Sequence, residues 1–346
     1  MPTTLVVKTP AKNAETVRRI TAGAGALRGE FVPKRERGYV FFPVTKKIEL
    51  SVPHSFVRAK LEARVKPKDF GKSLAGFLSG KELAAAVKGF DVVGSIAVIQ
   101  VPPALAGKAK RIARALLAAH SRVKTVLQKT GGREGAFRVQ RVRWLAGAKS
   151  FVALHRENEC VFRVDLREAY YSPRLSNERA RVASLVKSNE NVLVPFAGVG
   201  PFAILIAKKQ PSAEVVAIEL NPAGAKLLAE NVVLNRVSER VRAVKGDALK
   251  LLASLEFRGW ADRIVMPLPH SAKSFLPAAL KALKKGGAVH YYRIVRKAGA
   301  KETIEKEARA ACAAAKPKRK FKVLGFRRVV LFSPSKAEYV LDFKVF

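Results

Sequence analysis

The feature that most constrains the fold is residues 191–221, in which a strand, a glycine turn, a helix and a second strand follow one another. Asn191–Val194 is short, apolar and β-branched, which predicts a strand. The turn Phe196–Gly200 contains two glycines, and the helix predicted over 201–208 begins with a proline, whose φ already suits a first helical turn. Glu214–Leu220 is the second predicted strand. This order is the unit of doubly wound α/β sheets.

The same stretch has the pattern of a nucleotide site. Gly198 and Gly200 would let a ligand approach the backbone, and the following helix offers free N–H groups. Glu219 follows Gly198 by about 20 residues, and an acid at this spacing accepts hydrogen bonds from a ribose. A P-loop is excluded because no Gly-Lys-Ser/Thr follows. A dinucleotide is mildly disfavoured, and a nucleoside without pyrophosphate, such as S-adenosylmethionine, fits at least as well. A purely structural turn is the alternative.

The chain carries a strong excess of positive charge. Its 346 residues contain 66 Lys and Arg against 27 Asp and Glu, a formal net charge of +39 at pH 7. In an enzyme of small molecules this charge would cause costly self-repulsion, so it indicates a polyanionic partner, first of all RNA or DNA. The charge is spread over all regions, which favours a large folded nucleic acid touched by several domains. A generally basic proteome is the alternative explanation.

Neither a membrane span nor a secretory signal is expected. The sequence has no apolar run of 18 or more residues, and residues 1–20 contain charges throughout. We expect a cytoplasmic protein, with an organellar location left open.

The chain order predicts several domains. Residues 1–50 form a small basic α/β unit, suited to RNA binding or docking, and residues 51–88 are predicted as a linker or peripheral helices. Residues 89–155 form a second small α/β unit with a glycine-rich turn before a basic strand. Residues 156–346 alternate strands and helices and end in a hairpin, which is typical of a doubly wound sheet with an antiparallel end strand.

Several motifs are similar to those of one enzyme family. They are HREN at 155–158, YYSPRL at 170–175, NERAR at 177–181, PFAGVGPF at 195–202 and MPLP at 266–269. With them, the chain resembles the archaeal and eukaryotic tRNA (guanine-37-N1) methyltransferases, which are class I S-adenosylmethionine enzymes. The resemblance covers nearly the whole chain.

The resemblance implies a three-domain enzyme. The first domain would dock on the tRNA elbow, the second would help at the anticodon arm, and the third would bind S-adenosylmethionine and hold the guanine. The implied fold is the class I methyltransferase sheet, preceded by two small α+β domains. The implied partner is tRNA and the implied cofactor is S-adenosylmethionine. We expect a monomer and no metal.

The resemblance also implies catalytic residues. N1 of guanine carries a proton at neutral pH, so a base must remove it and a positive group must stabilise the charge on O6. Glu178 is the implied base, Arg138 the implied partner of O6, and Tyr170 an active-site tyrosine that places the guanine. Arg141 is the alternative to Arg138. The alternative roles are a helix-terminal acid for Glu178 and a core aromatic for Tyr170.

Further residues are implied to bind the cofactor and the substrate. The backbone of Phe196, Gly198 and Gly200 would hold the methionine part, Glu219 the ribose, and Asp247 the adenine amino group. Asp247 could instead be a turn residue. The implied substrate contacts are Arg174, Pro267 and Pro269.

Three positions depart from the family pattern. Val194 stands where an acid is usual, Pro267 where an asparagine is usual, and Glu159 where a glycine is usual. A weak or inactive relative that acts as an RNA-binding or ribosome-assembly factor is therefore one alternative function. The other is the aminocarboxypropyl transferase of wybutosine synthesis, against which Glu178 and Leu268-Pro269 argue.

Overall fold

The computed structural model describes residues 2–63, 69–86, 89–134, 137 and 139–346. The chain divides into two compact units, Met1–Asp69 and Phe70–Phe346.

The first unit is a small antiparallel sheet with one helix. Its elements are β1 (Thr3–Pro10), α1 (Ala14–Gly23), β2 (Lys34–Glu36), β3 (Tyr39–Pro43) and β4 (Ser55–Lys60). The strand order is β2-β3-β1-β4. Strand β4 lies inside the stretch 51–88 that was predicted as linker or helices. It was missed because its apolar positions are only half-buried and its alternation is weak.

The second unit begins with a smaller sheet and a hairpin. Its elements are α2 (Phe70–Ala75), α3 (Gly80–Ala85), β5 (Asp91–Val93), β6 (Ile96–Ile99), α4 (Ala109–Ala119), β7 (Thr125–Glu134), β8 (Val139–Gly147), β9 (Val152–Glu157) and β10 (Cys160–Asp165). The sheet order is β5-β6-β7-β8, and β9 pairs with β10. The glycine-rich turn predicted before the basic strand of this unit is instead strand as far as Glu134, and residues 135 and 136 lie outside the described residues.

The rest of the second unit is the large α/β domain. Its elements are α5 (Ser176–Leu185), β11 (Asn191–Pro195), α6 (Pro201–Lys209), β12 (Glu214–Glu219), α7 (Pro222–Leu234), β13 (Val241–Lys245), α8 (Ala248–Leu252), β14 (Ala261–Met266), α9 (Ala272–Ala282), β15 (Leu283–Arg296), α10 (Ala300–Ala314), β16 (Phe321–Leu331) and β17 (Lys336–Val345).

The large sheet has the order β13-β12-β11-β14-β15-β17-β16. The first five strands are parallel, and β17 runs antiparallel to both β15 and β16. The predicted doubly wound sheet with an antiparallel end strand is therefore confirmed. From β11 the chain first runs outward to β12 and β13, and it then returns to β14 on the other side. Ligands of such sheets bind at the carboxyl ends of the strands beside this reversal.

The core covers both faces of this sheet. Val192 and Val194 of β11 belong to one buried cluster, and Leu193 between them belongs to the other. This alternation is the period of a strand that is buried on both sides. In the part of the chain that the structure describes, no helix is long and apolar enough to cross a membrane.

Two local features differ from common sequence signals. Ser and Asn are favoured as N-caps, but neither Ser176 nor Asn177 caps α5; its N-cap is Leu175, without a side-chain hydrogen bond, because a 3-10 turn at Pro173–Leu175 runs into the helix. Glycine often ends a helix, but Gly286-Gly287 lies within β15, where Leu283 packs against Gly287.

Candidate active site at the carboxyl ends of the central strands

The glycine turn and the acid of β12 are in direct contact. The backbone N–H of Gly198 donates to Oε2 of Glu219 at 2.6 Å, and the N–H of Asn221 donates to Oε1 at 2.9 Å. Burial raises the pKa of Glu219, and the backbone N–H groups of Asn221, Gly198 and Leu220 oppose the rise. A carboxylate has about four acceptor positions, so these three donors leave capacity for a hydroxyl of a ligand.

Gly200 is required by its conformation and by its neighbours. It is the N-cap of α6, with φ 91°, a region that residues with a Cβ rarely adopt. A Cβ there would lie 2.5 Å from Cδ1 of Leu228 and 2.9 Å from Cδ1 of Ile204. A Cβ at this position therefore requires the side chains of Leu228 and Ile204 to shift.

Gly200→Ala is expected to lower the free energy of unfolding by about 2–4 kcal/mol. About 1–2 kcal/mol comes from the left-handed backbone and about 1–3 kcal/mol from overpacking. Urea unfolding would measure it. Gly299→Ala is the control, since Gly299 has φ 66° but a Cβ there meets no atom within 4 Å. Equal losses in the two variants would contradict the packing argument.

Two exposed leucines border the same edge of the sheet. Leu220 is 48% exposed and follows the acid of β12, and Leu249 is 46% exposed and lies just beyond β13. Sequence reasoning missed both, although an apolar residue directly after a strand-end acid was a usable signal.

Asp247 caps α8 by accepting from the N–H of Leu249 at 2.8 Å. The turn role considered for Asp247 is therefore present in the structure, and its contact to adenine stays a prediction.

Phe196 and Tyr170 both lie at the glycine turn. Phe196 has φ 65° and packs edge-on against Phe275, with ring centroids 4.6 Å apart. The carbonyl of Tyr170 is the nearest neighbour of Gly198, 3.4 Å from where a Cβ would be. Tyr170 also lines a cleft together with Lys129 of β7.

Glu178 is a buried carboxylate in the first turn of α5. Its side chain is 4% exposed. Oε1 accepts from the hydroxyl of Tyr292 at 2.7 Å and from Arg181 at 2.7 Å, and Oε2 accepts from Nε of Arg181 at 2.9 Å. The ring of Tyr292 lies 6.0 Å from that of Phe202, near the start of α6. Three hydrogen bonds therefore hold the carboxylate of the predicted base in a fixed orientation. Tyr292 lies between this carboxylate and α6, the helix that follows the glycine turn.

A chain of buried charged groups continues from Arg181 through the sheet. Arg181 donates to Asp342 at 2.6 Å, and Nδ1 of His290 lies 2.6 Å from the same carboxylate. Arg263 lies 2.8 Å from Nε2 of His290 and makes a two-pronged pair with Glu190 at 2.7 and 2.9 Å. A guanidinium only donates, so Nε2 accepts and Nδ1–H donates to Asp342. The ring is therefore neutral, in the Nδ1–H tautomer.

The electrostatics agree with this assignment. Burial lowers the pKa of His290, and Arg263 and Arg181 lower it further, against the opposing effect of Asp342. Burial alone would lower the pKa of Arg181, but its bonds to Glu178 and Asp342 raise it. Arg181 thus stays charged between two carboxylates.

A second buried ion pair fixes the segment before α5. Arg179 is 1% exposed and donates to both oxygens of Glu157, at 2.6 and 2.7 Å. It also donates to the carbonyl of Ser172 at 3.0 Å, and its guanidinium lies 5.2 Å from the ring centroid of Tyr171. Two of the sequence motifs therefore meet here, and their shared role is to position residues 170–175.

The smaller sheet contacts the same segment. The N–H of Gly94, in the turn after β5, donates to Nδ1 of His155 at 3.0 Å. Asp91 of β5 pairs with Arg174 at 2.6 Å and with Lys129 at 3.1 Å. These two cations lower the pKa of Asp91 against the effect of its burial. The predicted substrate residue Arg174 is thus oriented by β5, and its half-exposed side chain faces solvent.

The other predicted substrate residues lie in the loop after β14. The carbonyl of Pro269 accepts from the N–H of Ile294 and from Arg293, both at 3.1 Å, and Pro267 is half-buried. The loop is therefore fastened to β15. Arg138 lies outside the described residues, and Arg141 is exposed.

Two of the departures from the family pattern have structural explanations. Val194 is fully buried in the core. Glu159 forms the two-residue turn of the β9–β10 hairpin with Asn158, with φ 63° and 46°. A glycine is favoured in such a turn. The departure at Glu159 therefore affects the backbone strain of this hairpin and not the active site. Over the described ranges, no three His, Cys, Asp or Glu side chains are grouped so that they could hold a metal ion.

Comparison with known proteins gives consistent matches along the chain. The profile of the tRNA methyltransferase 5 N-terminal domain matches residues 7–52, that of the TYW2 N-terminal domain matches 71–150, and that of the TRM5/TYW2 methyltransferase domain matches 153–324. The tRNA (guanine(37)-N(1))-methyltransferase Trm5b of Pyrococcus abyssi is 38% identical over 84% of both chains. The enzyme of that name from Methanocaldococcus jannaschii is 28% identical over 99% of this chain and 98% of its own. A tRNA(Phe) (4-demethylwyosine(37)-C(7)) aminocarboxypropyltransferase of M. jannaschii is 32% identical over 51% of this chain and 68% of its own.

Solved structures agree. The crystal structure of Pyrococcus abyssi Trm5b superposes with a TM-score of 0.71, at 34% identity over 99% of both chains. A complex of aTrm5 with tRNALeu gives 0.70, at 27% identity over 98% of this chain and 99% of that one. M. jannaschii Trm5 in complex with adenosine gives 0.67, at 27% identity over 99% of both. The chain belongs to the tRNA (guanine(37)-N(1))-methyltransferase family, as its motifs predicted.

Proposed function

We propose that this protein transfers a methyl group from S-adenosylmethionine to N1 of guanosine 37 of tRNA, with Glu178 as the base. The observation that carries the proposal is the buried Glu178 carboxylate, held by Arg181 and Tyr292 beside the helix that follows the glycine turn. A general base must be oriented before the substrate arrives, and this carboxylate is fixed by three hydrogen bonds.

The edge of the sheet beside β11 fits the cofactor. Glu219 would accept hydrogen bonds from the ribose, the turn around Gly198 would lie along the methionine part, and Leu220 and Leu249 would cover the adenine. When bound, S-adenosylmethionine supplies a methyl group on a sulfonium sulfur, which keeps the bonding electrons when the methyl carbon bonds to N1. A relative from M. jannaschii has been solved in complex with adenosine, which supports a cofactor of this class.

The chain's own residues prepare the guanine. Glu178 takes the proton from N1, and Arg181 and Tyr292 keep its carboxylate oriented while it does so. Tyr170, Arg174 and the loop after β14 place the base and its backbone.

The charge and the matched relatives support tRNA as the partner. The net charge of +39 suits a polyanion, and one similar structure is a complex with tRNALeu. The proposed organisation is a tRNA-docking unit at 1–50, a second RNA-binding unit at 89–155 and the methyltransferase domain at 156–346. The protein is proposed to work as a cytoplasmic monomer.

The alternatives are not favoured. The aminocarboxypropyltransferase relative matches about half of this chain, whereas the Trm5b relatives match most or all of it. The inactive-relative hypothesis rested on Val194 and Pro267, whereas the hydrogen bonds that hold the carboxylates of Glu178 and Glu219 support an active enzyme.

Isothermal calorimetry with S-adenosylmethionine is expected to show one binding site. Mass spectrometry of a tRNA transcript after incubation is then expected to show one added methyl group on guanosine 37, and none on a control transcript with adenosine 37. Absence of cofactor binding would exclude both enzyme hypotheses. An added aminocarboxypropyl group would support the wybutosine-pathway alternative.

A further inference from the structure

A second carboxylate shares the arginine that holds the proposed base. We propose that Asp342 of β17 is a positioning residue for methyl transfer, which balances the charge of Arg181 so that Glu178 stays oriented and can still take the proton from N1. This inference rests on the proposed function, since it concerns how the same carboxylate works as a base.

The guanidinium of Arg181 lies between the two carboxylates. Its Nε and Nη2 donate to Oε2 and Oε1 of Glu178, at 2.9 and 2.7 Å. Its Nη1 donates to Oδ2 of Asp342 at 2.6 Å, and its Nη2 reaches Oδ1 at 3.3 Å. All three side chains are largely buried, with 18% of Arg181, 10% of Asp342 and 4% of Glu178 exposed. One positive charge is therefore shared by two negative groups away from bulk solvent.

Strand β15 supplies donors to both carboxylates. Tyr292 donates to the proposed base at 2.7 Å. His290 lies two residues earlier, on the same face of the strand, and is directly paired with Asp342 of β17. Its Nδ1–H donates to Oδ1 of Asp342 at 2.6 Å, because its Nε2 accepts from Arg263. His290 therefore holds Oδ1, and Oδ2 is turned toward Arg181.

Asp342 is held in its ionised form. Burial alone would raise the pKa of its carboxyl group, but the hydrogen bonds from His290 and Arg181 lower it below the ordinary value. A protonated carboxyl group would turn its own O–H toward one of these two donors, which leaves that donor without an acceptor. Asp342 therefore provides a fixed negative charge beside Arg181.

Proton transfer to Glu178 needs this second negative charge. A cation beside a carboxylate favours the ionised form and so weakens the carboxylate as a base. Asp342 offsets part of this effect, because it binds the same guanidinium. When the N1–H bond breaks, the proton goes to Glu178, and the electron pair left on N1 bonds to the methyl carbon. The neutral carboxyl group then binds Arg181 less strongly, while Asp342 keeps the buried charge of Arg181 paired.

The first test compares Asp342→Asn with Glu190→Gln. Glu190 is the matched control, since it is 14% exposed and accepts two hydrogen bonds from Arg263, at the other end of the chain of buried charged groups. Single-turnover methylation of a guanosine-37 transcript, with enzyme and S-adenosylmethionine saturating, is expected to slow by about tenfold in Asp342→Asn. Glu190→Gln is expected to keep the wild-type rate constant. Cofactor affinity, measured by calorimetry, is expected to be unchanged in both variants, and the bound cofactor counts the folded enzyme.

A double-variant cycle separates positioning from a purely structural effect. If Asp342 acts through Glu178, Asp342→Asn should slow the wild type by about tenfold but change the residual rate of Glu178→Gln by less than about twofold. A structural effect would lower both rates by the same factor. The proposal is overturned if Asp342→Asn reacts at the wild-type rate, or if the two factors are equal.

His290 allows a second test that leaves Asp342 in place and that decides the question if Asp342→Asn does not fold. His290→Gln keeps a donor for Asp342 and an acceptor for Arg263, so it is expected to keep the wild-type rate. His290→Leu keeps neither and is expected to react about fivefold more slowly, the effect of one hydrogen bond. Equal rates in these two variants would overturn the proposal.

The outcome for the wild type separates this inference from the proposed function. A wild type that forms no N1-methylguanosine would overturn the proposed function, and this inference with it. An active wild type whose rate is matched by Asp342→Asn and by His290→Leu would overturn this inference alone.

Discussion

Glu178→Gln is expected to slow methyl transfer by about 10²–10⁴-fold at saturating tRNA and S-adenosylmethionine, because the amide cannot take the proton from N1. Cofactor affinity is expected to stay unchanged, since Glu219 and the glycine turn are separate from this side chain. Single-turnover kinetics and calorimetry would measure the two effects. The amide also turns an N–H donor toward Arg181 or Tyr292, which costs about 1–3 kcal/mol of the free energy of unfolding. The assays should therefore be run well below the unfolding temperature of the variant.

Glu302→Gln is the matched control. Glu302 is the first-turn acid of α10, as Glu178 is of α5, but its side chain is exposed. If Glu178 acted only through its interaction with the helix dipole, both substitutions would cost about 0.3–1 kcal/mol of stability and leave the rate of methyl transfer unchanged. Full activity of Glu178→Gln would remove the assignment of the base.

The unit at residues 191–221 could be predicted because the residues that determine its structure are close together in the sequence. A β-branched run, two glycines, a proline at the first helical position and an acid at a second strand end all lie within residues 191–221. The structure places each of these in the expected element, and Glu219 in contact with the turn. Local pattern was less informative for β4, whose apolar positions are only partly buried, and for β9, whose Val152 and Leu154 are exposed.

The surroundings of the base could not be predicted, because their partners are distant in sequence. Asp342 is 161 residues from Arg181, and Tyr292 is 114 residues from Glu178. Isolated Arg, Asp and His residues suggest a solvated surface, and no periodicity shows that they pair in the interior. The pairing of β15 with β17 brings Tyr292 and Asp342 to the face that packs on α5.

The motifs that carried the family resemblance proved to be partly structural. Glu157 and Arg179 come from two separate strings, and they form one buried pair under residues 170–175. Asn158 donates to the carbonyl and the hydroxyl of Ser176, at 3.1 Å each, at the start of α5. The resemblance identified the family, and the contacts show that several of the residues that carry it hold α5 and residues 170–175 in position.

Arg179→Met is expected to lower the free energy of unfolding by about 3–5 kcal/mol, because it leaves the buried carboxylate of Glu157 without its cation. Arg167→Met is the matched control. Arg167 also makes a two-pronged pair, with Asp165 at 2.8 and 3.2 Å, and lies over the ring of Phe151, but it is 52% exposed. Its loss is expected to cost about 0–1 kcal/mol. Equal losses in the two variants would contradict the argument from burial.

The double variant Arg179→Met/Glu157→Met is expected to recover most of the stability, since the uncompensated charge is gone. The pH dependence gives an independent check. Burial would raise the pKa of Glu157, but His155 and Arg179 lower it from 4.5 to about 2. A lowered pKa gives stability that is complete above the unfolded value and is lost as the pH falls toward the folded one. The free-energy difference between wild type and Arg179→Met, measured by urea unfolding, should therefore shrink between pH 4.5 and about 2. A difference that stays constant over this range would show that the ion pair is not the source of the loss.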